Sequence, residues 1–173
     1  MSTEDDPSRP GSYAVQLASP PSGQIQIGRL GVLTLDSGTL LYVGSALGPG
    51  GVAARCRHHQ RMATRPHWHL DYLRPHCDII AFWVAYGDER LEHRWALALG
   101  EWPGARWPLA RFGASDCRCP AHLIRLPEAP TAQSLAGILG VGRWLESIPA
   151  GRAPRQTAAQ PSRSVRSARR ATE

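Results

Sequence analysis

Thr39-Leu40-Leu41-Tyr42-Val43-Gly44-Ser45-Ala46-Leu47-Gly48-Pro49-Gly50-Gly51 is the stretch whose reading decides the fold. The apolar run over residues 39–44 predicts a buried strand, and the Gly-Pro-Gly-Gly string ends it. Residues 52–62 follow with apolar and basic faces and predict a helix. Upstream, Gly11-Ser12-Tyr13 opens a second apolar run whose alternation over 12–18 predicts a partner strand. Two strand-borne tyrosines, Tyr13 and Tyr42, thus precede Arg55 and His59, which stand one helical turn apart.

Between the tyrosines, Pro20-Pro21-Ser22-Gly23 predicts a turn, residues 24–35 an irregular hairpin arm, and Asp36-Ser37-Gly38 a second turn. Downstream, the pattern predicts a short helix over 67–73, a buried strand over 79–85 and an amphipathic helix over 89–99. A structured loop at 112–119, a strand over 122–126 and a final helix over 136–148 complete the series. A hairpin with interspersed helices, rather than strict alternation, predicts an α+β fold. Its core would be a small, mainly antiparallel sheet of three or more strands flanked by helices.

At 173 residues the chain suits one domain with tails. Residues 1–10 and 149–173 are polar and poor in large apolar side chains, so both are expected to be disordered, leaving a folded unit at 11–148. All 20 basic residues are arginine, and most of the net charge of +6 sits in the C-terminal tail. Within the folded unit, Arg55, Arg57, Arg61 and Arg65 cluster with His58 and His59, a patch better matched to a polyanion than to a neutral solute. The opening residues Met1-Ser2-Thr3-Glu4-Asp5-Asp6 lack a basic, apolar leader, and no apolar run approaches the length of a membrane span. A cytoplasmic protein with reduced thiols is expected, without a membrane partner.

Phosphodiester hydrolysis needs a positioned water, a base, charge stabilisation on phosphate and help for the leaving alkoxide. Tyrosine hydroxyls can act as base or donor, Arg55 can hold a phosphate through its planar fork, and a carboxylate can hold a divalent cation. Glu92, early in the helix expected at 89–99, is the candidate carboxylate. His67, His69 and Asp71 fit either a second metal site or a helix cap packed with Trp68, Leu70 and Tyr72. Cys117-Arg118-Cys119 with His122 has a spacing that can supply three ligands to zinc, the alternative being reduced, buried cysteines in a tight loop.

The arrangement resembles the GIY-YIG nuclease superfamily. Three strings, Tyr42 to Gly51, His67-Trp68-His69-Leu70-Asp71-Tyr72-Leu73 and Phe112-Gly113-Ala114-Ser115-Asp116-Cys117-Arg118-Cys119, are similar to its small Uri-type subfamily, found alone or attached to endonuclease III-like glycosylases. The resemblance implies Tyr13, Tyr42, Arg55, His59 and Glu92 as catalytic residues, with Gly44 as the glycine of the second motif and His69 as a secondary candidate. It implies one Mg²⁺ or Mn²⁺ on Glu92, and DNA, or RNA in its place, bound also by Arg57, Arg61 and Arg65. A repair protein would be a natural partner. The first motif departs from the family in reading Gly-Ser-Tyr. The expected activity is a metal-dependent endonuclease or nickase; the alternatives are a non-catalytic nucleic-acid-binding or DNA-repair accessory module and a zinc-stabilised interaction domain.

Overall fold

The computed structural model describes residues 6–146; the Arg-rich tail at 149–173 and residues 1–5 lie outside them. In chain order the elements are β1 (Gly11–Ile27), β2 (Gly31–Ala46), α1 (Gly51–Gln60), α2 (His69–Leu73), β3 (Asp78–Tyr86), α3 (Glu92–Gly100), β4 (Leu123–Leu126), α4 (Ala132–Leu139) and β5 (Arg143–Leu145). The strands form one antiparallel sheet in the order β4-β2-β1-β3-β5. The α+β architecture is the one the sequence predicts.

Period-two alternation sorts the sheet's side chains into two cores. Tyr13, Val15 and Leu17 of β1, with Leu40 and Tyr42 of β2, pack with Val52, Ala53 and Cys56 of α1 and with Leu70 and Leu73 of α2. Ala14, Leu41 and Val43 belong to the opposite cluster, with Leu91, Trp95 and Leu99 along α3 and Leu135 and Leu139 of α4. The spacing of Leu91, Trp95 and Leu99 is the apolar stripe of a surface helix. The sheet is therefore the middle of three layers.

Two expected turns are absent. Residues 20–23 and 36–38 lie inside β1 and β2, which form one long hairpin with a register shift between Ser19 and Ser22. Pairing of β1 with β3 stops at Ala18, so Pro20 and Pro21 fall at a bulge beyond the partner strand, where a missing N–H costs no ladder bond on that side. The last expected helix is also displaced. Thr131 caps α4 by accepting from the Ser134 N–H at 3.1 Å. Gly140 and Gly142 take φ of 75° and 134°, ending the helix and leaving Arg143–Leu145 to pair with β3.

The chain is already bound to the domain before β1. The carbonyls of Pro7 and Arg9 accept from the N–H groups of Ala53 and Val52 at 2.7 and 3.0 Å, and that of Pro10 accepts from Gly87 at 2.9 Å. These bonds satisfy donors that the first turn of α1 would otherwise leave open.

Candidate active site

Tyr13, near the start of β1, pairs directly with Gly44, near the end of β2, so the two tyrosine motifs meet at one end of the sheet. A Cβ on Gly44 would lie 2.6 Å from the Tyr13 hydroxyl oxygen and 2.7 Å from Cζ. The glycine is thus the floor on which the Tyr13 ring lies. Tyr42 packs edge-on against Phe112 and His59, with ring centres 6.0 and 5.9 Å away. Gly113, at φ 73°, closes over it: a Cβ there would stand 2.8 Å from the Tyr42 ring.

Tyr13, Tyr42, Arg55 and Glu92 line one polar cleft of about 310 Å³, together with Gly44, Trp68, Arg90, Asp116 and His122. His59 does not line it. It is buried behind Tyr13, its Nε2 2.8 Å from the phenol oxygen. Burial, then the positive charges of His58 and Arg55, push its pKa down to about 3, so the imidazole is neutral. We assign the ring proton to Nε2, donated to Tyr13. This leaves the otherwise unpartnered Nδ1 as a buried acceptor rather than a buried N–H, and leaves the Tyr13 proton free for the cleft. Burial, and then Tyr42, hold the Tyr13 hydroxyl well above the ordinary phenol value, while burial raises Tyr42 to about 12. Both hydroxyls are therefore donors at neutral pH, not bases.

Arg55 extends from α1 with its guanidinium carbon 4.1 Å from the centre of the Trp68 ring. Trp68 is fixed in turn by the residues around it. Asp71 accepts from the His67 and Trp68 N–H groups at 2.9 and 3.0 Å, capping α2, and its other oxygen pairs with His58 Nε2 at 2.8 Å. The His58 ring meets Trp68 edge-on at 4.4 Å. Asp71 thus takes the capping role, and Trp68, rather than packing only with the cap, carries the arginine. With Asp71 and His59 so engaged, the close group His58, His59 and Asp71 has few lone pairs left for a cation.

Glu92 opens α3, three residues later than the expected helix start, where the helix dipole favours a negative charge. Glu89 lies before the helix and makes an exposed pair with Arg94. Glu92 is buried; its Oε1 is 3.6 Å from His93 Nε2 and 4.0 Å from Arg90 Nη1, and its Oε2 has no hydrogen-bond partner. Ser12, the residue by which the first motif departs from the family pattern, holds this helix start. Its hydroxyl accepts from the Leu91 N–H at 3.0 Å and donates to the Glu89 carbonyl at 3.3 Å.

The remaining predicted residues fall outside the cleft. His69 accepts from the Gly113 N–H at 2.8 Å and so ties α2 to the loop over Tyr42. Arg57 is half-buried on α1, while Arg61 and Arg65 are exposed beyond it. The expected zinc set is also rearranged. His93, Cys117 and His122 come together, whereas Cys119 is buried outside that group. The sequence expected Trp68 only as packing for the cap and missed the roles of Ser12 and Arg90; the unusual serine in Gly11-Ser12-Tyr13 was the one signal pointing to Ser12.

No curated protein and no solved structure matches the chain. A family model described as "Domain of unknown function DUF123" matches residues 12–139, so the chain belongs to that family.

Proposed function

We propose that this member of the DUF123 family is a metal-dependent endonuclease or nickase of GIY-YIG type that hydrolyses phosphodiester bonds in DNA. The observation that carries the reading is the convergence of Tyr13, Tyr42, Arg55 and Glu92 on one polar cleft from four different elements. Neither tyrosine ionises at working pH, so each contributes a neutral donor to the phosphate oxygens. Arg55, steadied on Trp68, supplies a planar fork for the charge that develops on the phosphate. His59 positions Tyr13 from behind and does not meet the substrate.

The donor set fits a hard divalent cation, because Glu92 Oε2 is a buried carboxylate oxygen with no partner of its own. Glu92 would hold Mg²⁺ or Mn²⁺, with Asp116 in the same cleft as a further oxygen source. Such an ion, when bound, lowers the pKa of a coordinated water and neutralises the leaving oxygen. Ser12 and the first turn of α3 keep the Glu92 carboxylate where it is needed. Arg57, Arg61 and Arg65, outside the cleft, would add phosphate contacts that hold DNA without reading its sequence.

Nicking of supercoiled plasmid in Mg²⁺ or Mn²⁺ tests the proposal. Wild type is expected to give open circles, and Glu92→Ala and Arg55→Ala to lose them by at least about a hundredfold, the scale of removing a single charge-stabilising group. Equal cleavage by all three proteins would refute the assignment. DNA binding with no metal-dependent product from wild type would favour the non-catalytic module.

A further inference from the structure

His93 lies on α3 directly after Glu92, Cys117 in the loop that follows Phe112, and His122 immediately before β4. Their donor atoms, two imidazole nitrogens and one sulfur, all lie within 4.8 Å of one another. Cys117 Sγ stands 3.4 Å from His122 Nε2, and the His93 and His122 ring centres are 5.5 Å apart. The geometry points to a tetrahedral zinc site with His93, Cys117 and His122 as ligands and its fourth position open to water from the cleft that His122 also lines.

The distances suit zinc. Bonds of about 2.3 Å to sulfur and 2.0–2.1 Å to nitrogen, set at a tetrahedral angle, place the two ligand atoms roughly 3.6 Å apart. The Cys117–His122 separation is already close to that edge. A thiolate with two imidazoles is a donor set suited to zinc and unsuited to magnesium, whereas the carboxylate oxygens of Glu92 and Asp116 suit a hard cation. Cys117 and His93 are only half-buried, which gives the ion a way in.

Cys119 is a poorer ligand than its spacing suggests. It is buried, and its sulfur is not among the donor atoms that lie within 4.8 Å of one another. The site would fasten α3 to a segment distant in sequence, the loop over Tyr42 that runs on into β4. Because His93 adjoins Glu92, the same ion would fix the position of the carboxylate in the cleft.

Elemental analysis of the full chain, purified without chelator, is expected to find a single zinc ion per molecule. The Co²⁺-exchanged protein should show tetrahedral d–d bands and a sulfur-to-cobalt charge-transfer band. Cys117→Ser should abolish the charge-transfer band. His93→Ala should weaken retention of the ion by more than the roughly 10- to 100-fold that loss of an outer partner costs. With a side chain 42% exposed, His93 can be replaced without loss of folding, to be confirmed by circular dichroism. Cys119→Ser should keep the ion. Folded protein that takes up neither zinc nor cobalt at micromolar metal overturns the site, as does uptake that depends on Cys119 and not on His93. The readout needs no nucleic acid: zinc without nicking would count against the nuclease reading alone, and nicking without zinc against this site alone.

Discussion

Replacing Gly44 with alanine tests the geometry at its tightest point. The added methyl would stand 2.6 and 2.7 Å from the Tyr13 hydroxyl oxygen and Cζ. Carbon pairs settle at about 3.5–4.0 Å, so the ring would have to withdraw by about 0.8 Å or more. Tyr13 has little room to do so, being 2% exposed, packed in the core and held by His59. Overpacking of this kind costs about 1–3 kcal/mol, and loosening the His59 contact about 1 kcal/mol more. The loss of chain entropy in the unfolded state returns about 0.4–1 kcal/mol. A net destabilisation of about 1–4 kcal/mol follows, read as a lower urea midpoint at unchanged m-value. Nicking should fall further than stability does, because a displacement of about 1 Å at a reacting group costs on the order of a hundredfold. In a Tyr13→Ala background the substitution at Gly44 should cost almost nothing more, since the atoms it strikes are gone. Wild-type stability and nicking in Gly44→Ala would refute this account, as would an equal cost in both backgrounds.

Ser12→Ala should strand the buried Leu91 N–H, costing about 1–3 kcal/mol in urea unfolding, and should weaken Mn²⁺ retention at Glu92 in a titration followed by electron paramagnetic resonance. Trp68→Ala removes the platform under Arg55, about 0.5–1 kcal/mol of fixation, so nicking at limiting DNA should drop a few-fold at temperatures where circular dichroism shows the variant folded. His59 makes stability pH-dependent: its folded pKa of about 3 lies below its ordinary value of 6.5, so the unfolded chain takes up the proton first. Its contribution is therefore complete above pH 6.5 and is lost as pH falls toward 3. Melting temperatures across that window should fall more steeply for wild type than for His59→Asn; parallel slopes would show that the burial of His59 is not felt.

The sequence made the hairpin legible because Tyr13-Ala14-Val15 and Leu40-Leu41-Tyr42-Val43 alternate between two buried faces. It misplaced the turns because Pro20-Pro21 and Asp36-Ser37-Gly38 carry turn chemistry locally, while pairing across the full hairpin overrides it. Arg143–Leu145 is too short to announce itself as a strand and becomes one only by pairing with β3. In the site, the types and order of Tyr13, Tyr42, Arg55 and Glu92 were visible, since chemistry selects residue type. Burial was not: it removes His59 from the cleft and keeps both tyrosines protonated. Ser12 and Trp68 were illegible because their roles depend on partners that only the folded chain brings near.

The hairpin also divides the cleft by its route of assembly. Its closing pair, Ile27 with Gly31, spans only Gly28, Arg29 and Leu30, and successive rungs lead outward to Tyr13 with Gly44. That half forms by local zipping, with little entropy lost at each step. Glu92 and His122 must be carried in from distant sequence, as α3 packs and β4 adds beside β2, and each pays for a long closure. The cleft is therefore a seam between an early, local unit and a late, non-local one, and openings short of global unfolding should part it there.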